Sequence, residues 1–171
     1  MDRRPKESRI QNRKSKITPL SRLVQVREKA RRQGKRVVFT NGVFDLLHRG
    51  HVNYLQRARA LGDLLIVGLN TDASTRQIKG YLRPLTSEKD RAAVLSALSC
   101  VDYVVLFNED TPARLIGKLL PDILVKGADY KEKDIVGAEA VKARGGKVVR
   151  MKYLRGYSTT RLIQSILRRY R

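Results

Sequence analysis

The chain has 171 residues, of which 37 are Lys or Arg and 16 are Asp or Glu, so its formal net charge is +21. This length allows one ordinary domain with a hydrophobic core and is too short for two well-stabilised domains. No apolar run approaches the roughly 20 residues that a membrane span requires, and the basic N-terminus lacks the apolar segment of a secretory signal. The only cysteine, Cys100, cannot form an internal disulfide, and we expect a cytoplasmic protein.

The positive charge favours anionic partners: nucleic acid, anionic membranes or phosphorylated small molecules. A nucleic-acid-binding module is expected to interleave basic and aromatic residues, whereas the three Phe and seven Tyr are scattered here and Trp is absent. Nucleic-acid binding is therefore the weaker alternative. A strong, salt-dependent affinity for DNA would support it.

Residues 1–19 are polar, basic and aperiodic, which indicates a disordered or loosely attached arm, and residues 20–171 are predicted to form the domain. The first predicted helix covers 22–33, with Ser21 as its N-cap and Gly34 as its end. Short Val/Ile/Leu strands and helices then alternate: strand 36–40, helix 51–62, strand 63–69, a polar stretch, helix 87–100, strand 102–107, helix 111–120, strand 122–127, helix 136–146, strand 147–151 and helix 158–170.

Continuous apolar strands separated by helices predict a parallel sheet with both faces covered. The expected fold is therefore a doubly wound, Rossmann-like α/β domain of about five strands. Ligands of such sheets bind beyond the carboxyl ends of the strands, which here are residues 40–42, 70–72 and 126–129. Neither a three-glycine dinucleotide fingerprint nor a phosphate-loop Lys-Ser/Thr motif occurs, which excludes the commonest nucleotide sites of this class.

Both histidines of the chain, His48 and His51, lie in the stretch TNGVFDLLHRGH, where the first strand becomes a helix. Gly50 and His51 fall at the predicted helix N-terminus, where unpaired N–H groups favour anions. The alternatives are two surface histidines or a zinc site. Zinc is disfavoured because the usual helical pair is four residues apart and no third histidine exists, so we predict an anion site and no metal ligands.

The last predicted helix provides a second anion signal. Ser158 is its expected N-cap, and a capping box would then have Glu or Gln three residues later, where Arg161 stands. A cation in the first turn opposes the helix dipole, so a bound anion would explain it. The alternative is a plain serine cap beside a surface arginine.

The stretch FTNGVFDLLHRGH resembles the His-x-Gly-His signature of the nucleotidyltransferase superfamily, whose members move a nucleoside monophosphate from a triphosphate to a phosphorylated acceptor. Further segments, over about Leu20 to Leu167, resemble in order and spacing the adenylyltransferase module of the bacterial heptose pathway: GDLLIVGLNTDAS, KGYLRPL, DRAAVLSALSCVDYVV, EDTPARLI, PDILVKGADY and GYSTT. The chain departs from that module at Val43, where the family often has Cys, and at Ala128, where it has Gly.

The resemblance implies transfer of AMP from ATP to D-glycero-β-D-manno-heptose 1-phosphate, giving ADP-heptose and pyrophosphate for the lipopolysaccharide inner core. A cytidylyltransferase acting on glycerol 3-phosphate or ethanolamine phosphate is the nearest alternative. Magnesium is expected with the triphosphate. Partners other than ATP and the sugar phosphate are not indicated, and a homo-oligomer stays open.

The resemblance also implies roles for individual residues. His48, His51 and Lys79 are the expected catalytic groups, and Arg83 and Arg91 are candidates for binding the acceptor phosphate or pyrophosphate. The residues expected to bind the nucleotide are Thr40, Asn41, Gly42, Phe44, Asp45, Gly50, Lys126, Gly127, Asp129, Ser158, Thr159 and Thr160.

Overall fold

A computed structural model describes residues 15–170. One sheet contains five strands, all parallel: β1 (Val37–Gly42), β2 (Leu64–Asn70), β3 (Tyr103–Phe107), β4 (Ile123–Gly127) and β5 (Lys147–Met151). The α-helices of the described part are α1 (Leu20–Arg32), α2 (Arg49–Arg59), α3 (Asp72–Lys79), α4 (Glu88–Ala97), α5 (Ala113–Leu119), α6 (Ala138–Ala143) and α7 (Thr159–Arg169). The predicted doubly wound, Rossmann-like α/β fold is confirmed.

Helices cover both faces of the sheet because the strand side chains alternate between two apolar layers. In β1, Val38 packs in the layer that contains α2 and α4, whereas Val37 and Phe39 pack in the layer that contains α1, α5 and α6. All three side chains are completely buried, and each contributes roughly 1.5–3 kcal/mol of burial free energy.

The strand order β3-β2-β1-β4-β5 puts the topological switch point at β1. The chain runs outward from β1 to β3 and then returns to the other side of β1 as β4. The carboxyl ends of β1 and β4 are therefore neighbours, and the crevice outside them is where a sheet of this type binds its ligand.

Two local predictions differ from the structure. Helix α1 begins at Leu20 after Pro19, and no side chain caps it, so Ser21 lies inside the first turn rather than at the N-cap position. The polar stretch after β2 contains α3, whose N-cap is Thr71: its side chain accepts from the backbone N–H of Ser74 at 3.2 Å. Helix α3 buries Ser74 and Thr75 instead of apolar residues, so it lacks the apolar periodicity that would predict it.

Residues 1–14 of the predicted arm lie outside the described residues. Residues 15–19 lie against the edge strand β3, where the Thr18 amide donates to the Val104 carbonyl at 2.8 Å and the Val104 amide donates to the Lys16 carbonyl at 2.9 Å. The arm boundary after residue 19 stays a prediction. Among residues 15–170, no helix combines the length and apolar character needed to cross a bilayer.

Candidate active site

A cavity of about 560 Å³ opens at the carboxyl ends of β1 and β4, between the N-termini of α2 and α7. Most of the residues singled out in the sequence line it. They are Asn41, Gly42, Phe44, Asp45, His48, Gly50, His51, Lys79, Arg83, Lys126, Gly127, Ser158, Thr159 and Thr160. Residues more than 100 positions apart in the chain are thus brought to one cavity.

The two histidines form a stacked pair at the start of α2. His48 is the N-cap, and its Nδ1 accepts from the backbone N–H of His51 at 3.3 Å. The rings stack with centroids 3.8 Å apart and planes 15° apart. Because Nδ1 of His48 accepts, the proton of its neutral imidazole lies on Nε2, which leaves a hydrogen-bond donor for a ligand.

Burial keeps both imidazoles uncharged near neutral pH. It lowers the pKa of His48, and it lowers the pKa of His51 to about 4, with a smaller contribution from the neighbouring His48. Within the described part of the chain, Nδ1 of His51 is buried and has no hydrogen-bond partner. A bound anion would raise the pKa of both imidazoles, because negative charge favours the protonated form.

The first turn of α2 also lies close to the residue that precedes α7. A Cβ on Gly50 would approach the Cβ of Tyr157 to 2.9 Å and the ring of His48 to 3.0 Å. Arg49 extends over the Tyr157 ring, with its guanidinium carbon 5.9 Å from the ring centroid. Glycine at position 50 therefore permits the close approach of the two helix N-termini that border the cavity.

The N-terminus of α7 presents hydroxyl and amide donors to the same cavity. Ser158 is the N-cap, as predicted, and its Oγ accepts from the Arg161 amide at 3.1 Å. The first turn contains no acidic residue. Thr159 and Thr160 also line the cavity, so this helix end is suited to an anion.

Lys126 at the end of β4 links the two strands that border the crevice. Its Nζ donates to Oδ1 of Asn41 at 2.5 Å and lies 5.5 Å from the centroid of the Tyr130 ring. Burial lowers the pKa of Lys126 to about 8, opposed by the negative charge of Asp129. The ammonium is largely protonated at neutral pH and lies buried beside the Tyr130 ring, where solvent screens it poorly.

Tyrosines form the wall on the β4–β5 side of the cavity. Tyr54 and Tyr153 pack with ring centroids 5.4 Å apart. A Cβ on Gly127 would overlap both the Asp129 carboxylate and the Tyr153 hydroxyl, so only glycine fits beneath them. Burial raises the pKa of Tyr153 to about 12, and its hydroxyl therefore stays protonated.

Asp45 attaches the segment 80–86 to the loop after β1. Its carboxylate accepts from Arg83 Nε at 2.6 Å and from the amides of Leu85 and Thr86 at 2.8 and 3.1 Å. Arg83 reaches the cavity from this segment, and Lys79 reaches it from the end of α3. Two cations besides Lys126 thus line the cavity.

Three of the predicted residues, Thr40, Arg91 and Asp129, are not among the residues that line the cavity. The guanidinium of Arg91 is 1% exposed and donates to the carbonyls of Val43 and Thr86 and to the carboxylate of Asp72. The structure gives Arg91 a positioning role, since its bonds join the loop after β1, the segment 80–86 and the first residue of α3. Thr40 is buried and shares a 2.9 Å hydrogen bond with Tyr54, and Asp129 lies next to Gly127.

Comparison with known proteins agrees with this geometry. A family model described as cytidylyltransferase-like matches residues 39–165, a range that includes every residue lining the cavity. The chain belongs to the cytidylyltransferase-like family. Family membership makes it a nucleotidyltransferase, the class that the resemblance of the histidine motif implied.

Individual relatives are similar to this chain over most of its length. The chain is 57% identical over 156 residues to the Bifunctional protein HldE of Citrifermentans bemidjiense and 55% identical over 153 residues to that of Helicobacter pylori. These matches cover 91% and 90% of this chain but 32% of each relative, so the chain spans about a third of the length of the curated relatives it matches.

A solved family structure supports both the fold and the relationship. The lipopolysaccharide core biosynthesis protein of Thermoplasma volcanium is 33% identical, with a TM-score of 0.59. The match covers 71% of this chain and 99% of that protein. The resemblance to the heptose-pathway module is thus confirmed at the level of the family and its relatives.

The sequence did not point to several residues that shape this family member's cavity. Tyr54, Tyr153 and Tyr157 form much of its wall, yet each has the neighbours of an ordinary helix or loop tyrosine. The position of Tyr157 directly before Ser158 was the one available signal, because a residue that precedes an anion-binding helix end must itself border the ligand.

Proposed function

We propose that this chain transfers AMP from ATP to D-glycero-β-D-manno-heptose 1-phosphate and releases pyrophosphate and ADP-heptose. The relatives named HldE support the pathway, and the family supports the reaction class. The observation that carries the proposal is the stacked pair His48 and His51 facing the same cavity as the N-terminus of α7. Because ATP is a substrate, we expect the reaction to take place in the cytoplasm.

The N-termini of α2 and α7 are suited to bind different phosphates of the ATP triphosphate. Nε2 of His48 would donate to the α-phosphate, and the hydroxyls and amides of Ser158, Thr159 and Thr160 would bind the β- and γ-phosphates. Lys126, Gly127 and Asp129 would border the nucleoside together with Tyr153. The α-phosphorus would then lie between the helices, with pyrophosphate leaving toward α7.

The acceptor needs no general base. A sugar phosphate carries about −1.5 to −2 charge near neutral pH, so its oxygen is already a nucleophile. The site must instead align that oxygen with the α-phosphorus, opposite the leaving pyrophosphate, and stabilise the charge that develops. Lys79 and Arg83 would bind the acceptor phosphate from their side of the cavity, and each well-placed donor contributes roughly 3–4 kcal/mol.

A divalent cation, which we propose is magnesium, would accompany the triphosphate. Within the described residues, no group of three or more His, Cys, Asp or Glu side chains could hold a metal ion by itself. The donor set still fits magnesium, which is bound largely by phosphate oxygens and water, with the cavity carboxylates Asp110 and Asp134 as outer partners. When bound, the cation neutralises charge on the phosphate oxygens.

The direct test is pyrophosphate release by the purified protein with magnesium, offering ATP or CTP with heptose 1-phosphate or with glycerol 3-phosphate. We expect release only with ATP and heptose 1-phosphate. Release with CTP and glycerol 3-phosphate would keep the proposed site and overturn the substrates. If a protein that unfolds cooperatively releases no pyrophosphate with any of these pairs, the proposed reaction is wrong.

A further inference from the structure

Helix α7, with Tyr170 directly after it, has an apolar face that nothing in residues 15–170 buries. Ile166 and Leu167 are 52% and 51% exposed, and Tyr170 is 87% exposed; α7 contains no buried residue. At 100° per residue, the apolar side chains lie on one side of the helix: Leu162, Ile163, Ile166, Leu167 and Tyr170. A contiguous exposed row of this kind indicates an interaction surface.

The opposite side of α7 is basic. Arg161 and Arg168 lie about 180° from the apolar row, and Arg169 lies at its edge. No Asp or Glu occurs in residues 158–171, and the whole chain carries +21. An apolar row backed by arginines fits the boundary of an anionic bilayer, where apolar side chains enter the acyl region and arginines reach the lipid phosphates.

We propose that α7 attaches this protein to membrane surfaces rich in anionic phospholipid, lying in the interface without crossing it. This role uses the exposed apolar row together with Arg168 and Arg169, none of which lines the cavity. It does not depend on the identity of the nucleotide or the acceptor.

A second copy of the chain fits this face less well. Helix α7 has 11 residues and is therefore about 16 Å long, and its row has four apolar side chains before Tyr170. A stable protein interface buries about 800 Å² on each partner, which is more than one short helix row provides. A membrane sets no such minimum area, because electrostatic attraction to anionic lipid adds to the apolar contribution.

Vesicle binding tests the proposal. We expect the full chain to sediment with vesicles of equal parts phosphatidylglycerol and phosphatidylcholine but not with pure phosphatidylcholine. Ile166→Gln/Leu167→Gln should weaken this binding roughly tenfold or more, because it removes two apolar side chains from the bilayer. The matched control is Val94→Gln/Leu106→Gln, which alters exposed apolar residues of α4 and β3 and should bind as the unaltered chain does.

The rest of the positive charge is the same in both variants, so a loss confined to the α7 variant cannot come from charge elsewhere. Equal binding by the unaltered chain and both variants would overturn the proposal. So would a dimer, detected by light scattering and abolished by Ile166→Gln/Leu167→Gln, in a protein that does not bind vesicles. Thermal unfolding and pyrophosphate release in solution should be unchanged in both variants.

A fluorescent reporter tests the orientation of the helix. The chain contains no Trp, so Tyr170→Trp introduces a single tryptophan at the end of the apolar row. Its emission should shift to the blue with anionic vesicles and stay constant with phosphatidylcholine alone. Vesicle binding without a blue shift would show that the apolar row stays in water, and would overturn the proposed insertion.

Discussion

Mutagenesis can separate the capping role of His48, whose Nδ1 accepts from the His51 amide, from the catalytic role that we propose for its Nε2. In His48→Ala we expect kcat to fall by about 10²–10³-fold through loss of a donor, and stability to fall by about 1 kcal/mol through loss of the cap. His48→Asn restores a good N-cap, so its Tm should return toward that of the unaltered chain while kcat stays low. Full recovery of turnover in His48→Asn would contradict the catalytic role.

The buried imidazole of His51 should make stability depend on pH. Its pKa is about 4 in the folded chain and about 6.5 when unfolded, so between these values the unfolded state binds more protons. The free energy of unfolding should therefore decrease as pH falls from about 7 toward 4, by at most about 3 kcal/mol from this residue.

Denaturant unfolding of His51→Gln at pH 7, 6 and 5 checks this, because glutamine cannot titrate. The variant should lose part of the pH dependence while otherwise unfolding cooperatively. The same pH dependence in the variant and the unaltered chain would show that His51 is not the titrating group.

Among the larger elements, the segment 80–86 is attached by three hydrogen bonds to the Asp45 carboxylate from Arg83, Leu85 and Thr86, and Arg91 adds one to the Thr86 carbonyl. In Asp45→Asn the amide oxygen can still accept from Leu85 and Thr86, but Arg83 loses its charged partner. We expect the KM for the acceptor to rise several-fold, with a smaller change in the KM for ATP, and a stability loss of roughly 2 kcal/mol.

The matched variant Arg83→Gln removes the other half of this ion pair. If the pair acts as a unit, the double variant should raise the acceptor KM no further than the more severe single variant does. Strictly additive effects in this cycle would show that Asp45 and Arg83 act separately.

The elements themselves were largely predictable, because apolar strands and capped helices are local patterns. Ser158 is an N-cap as predicted, α4 begins directly after Ser87 where a helix was predicted from residue 87, and the parallel sheet follows from the alternation of strands and helices. Helix α3 was missed because its buried residues are Ser74 and Thr75, whose burial depends on packing against the finished sheet.

Site residues that belong to sequence motifs could be predicted. Site residues whose position depends on tertiary packing could not. His48, His51 and Ser158 could be named from helix-end chemistry and resemblance. The burial of Arg91 and the tyrosine wall at Tyr153 could not, because both arise from contacts between segments far apart in the chain.

For the whole molecule, the site depends on the order of the strands. The loop after β1 and the first turn of α2 supply the histidines, β4 supplies Lys126, and the chain after β5 supplies Ser158. No single continuous segment contains the cavity, which exists only when the two halves of the sheet have joined at β1.

We therefore expect nucleotide binding to change the stability of α7, which lies outside the core. An isolated helix of 11 residues is only marginally stable in water, and α7 gains no buried side chain. We expect its amide protons to exchange rapidly in the unliganded protein and to be protected by ATP, whereas those of β1 stay protected throughout. Equal protection of α7 and β1 without ATP would contradict this.

Because α7 begins at the cavity but supplies no buried side chain to the core, we expect mutation to affect its two ends differently. Changes at residues 158–160 should be removed by selection for turnover, whereas changes on its outer face carry little cost in folding. Over evolutionary time, proteins that catalyse the same reaction can therefore change the outer face of this helix, and with it the surface or partner that they bind.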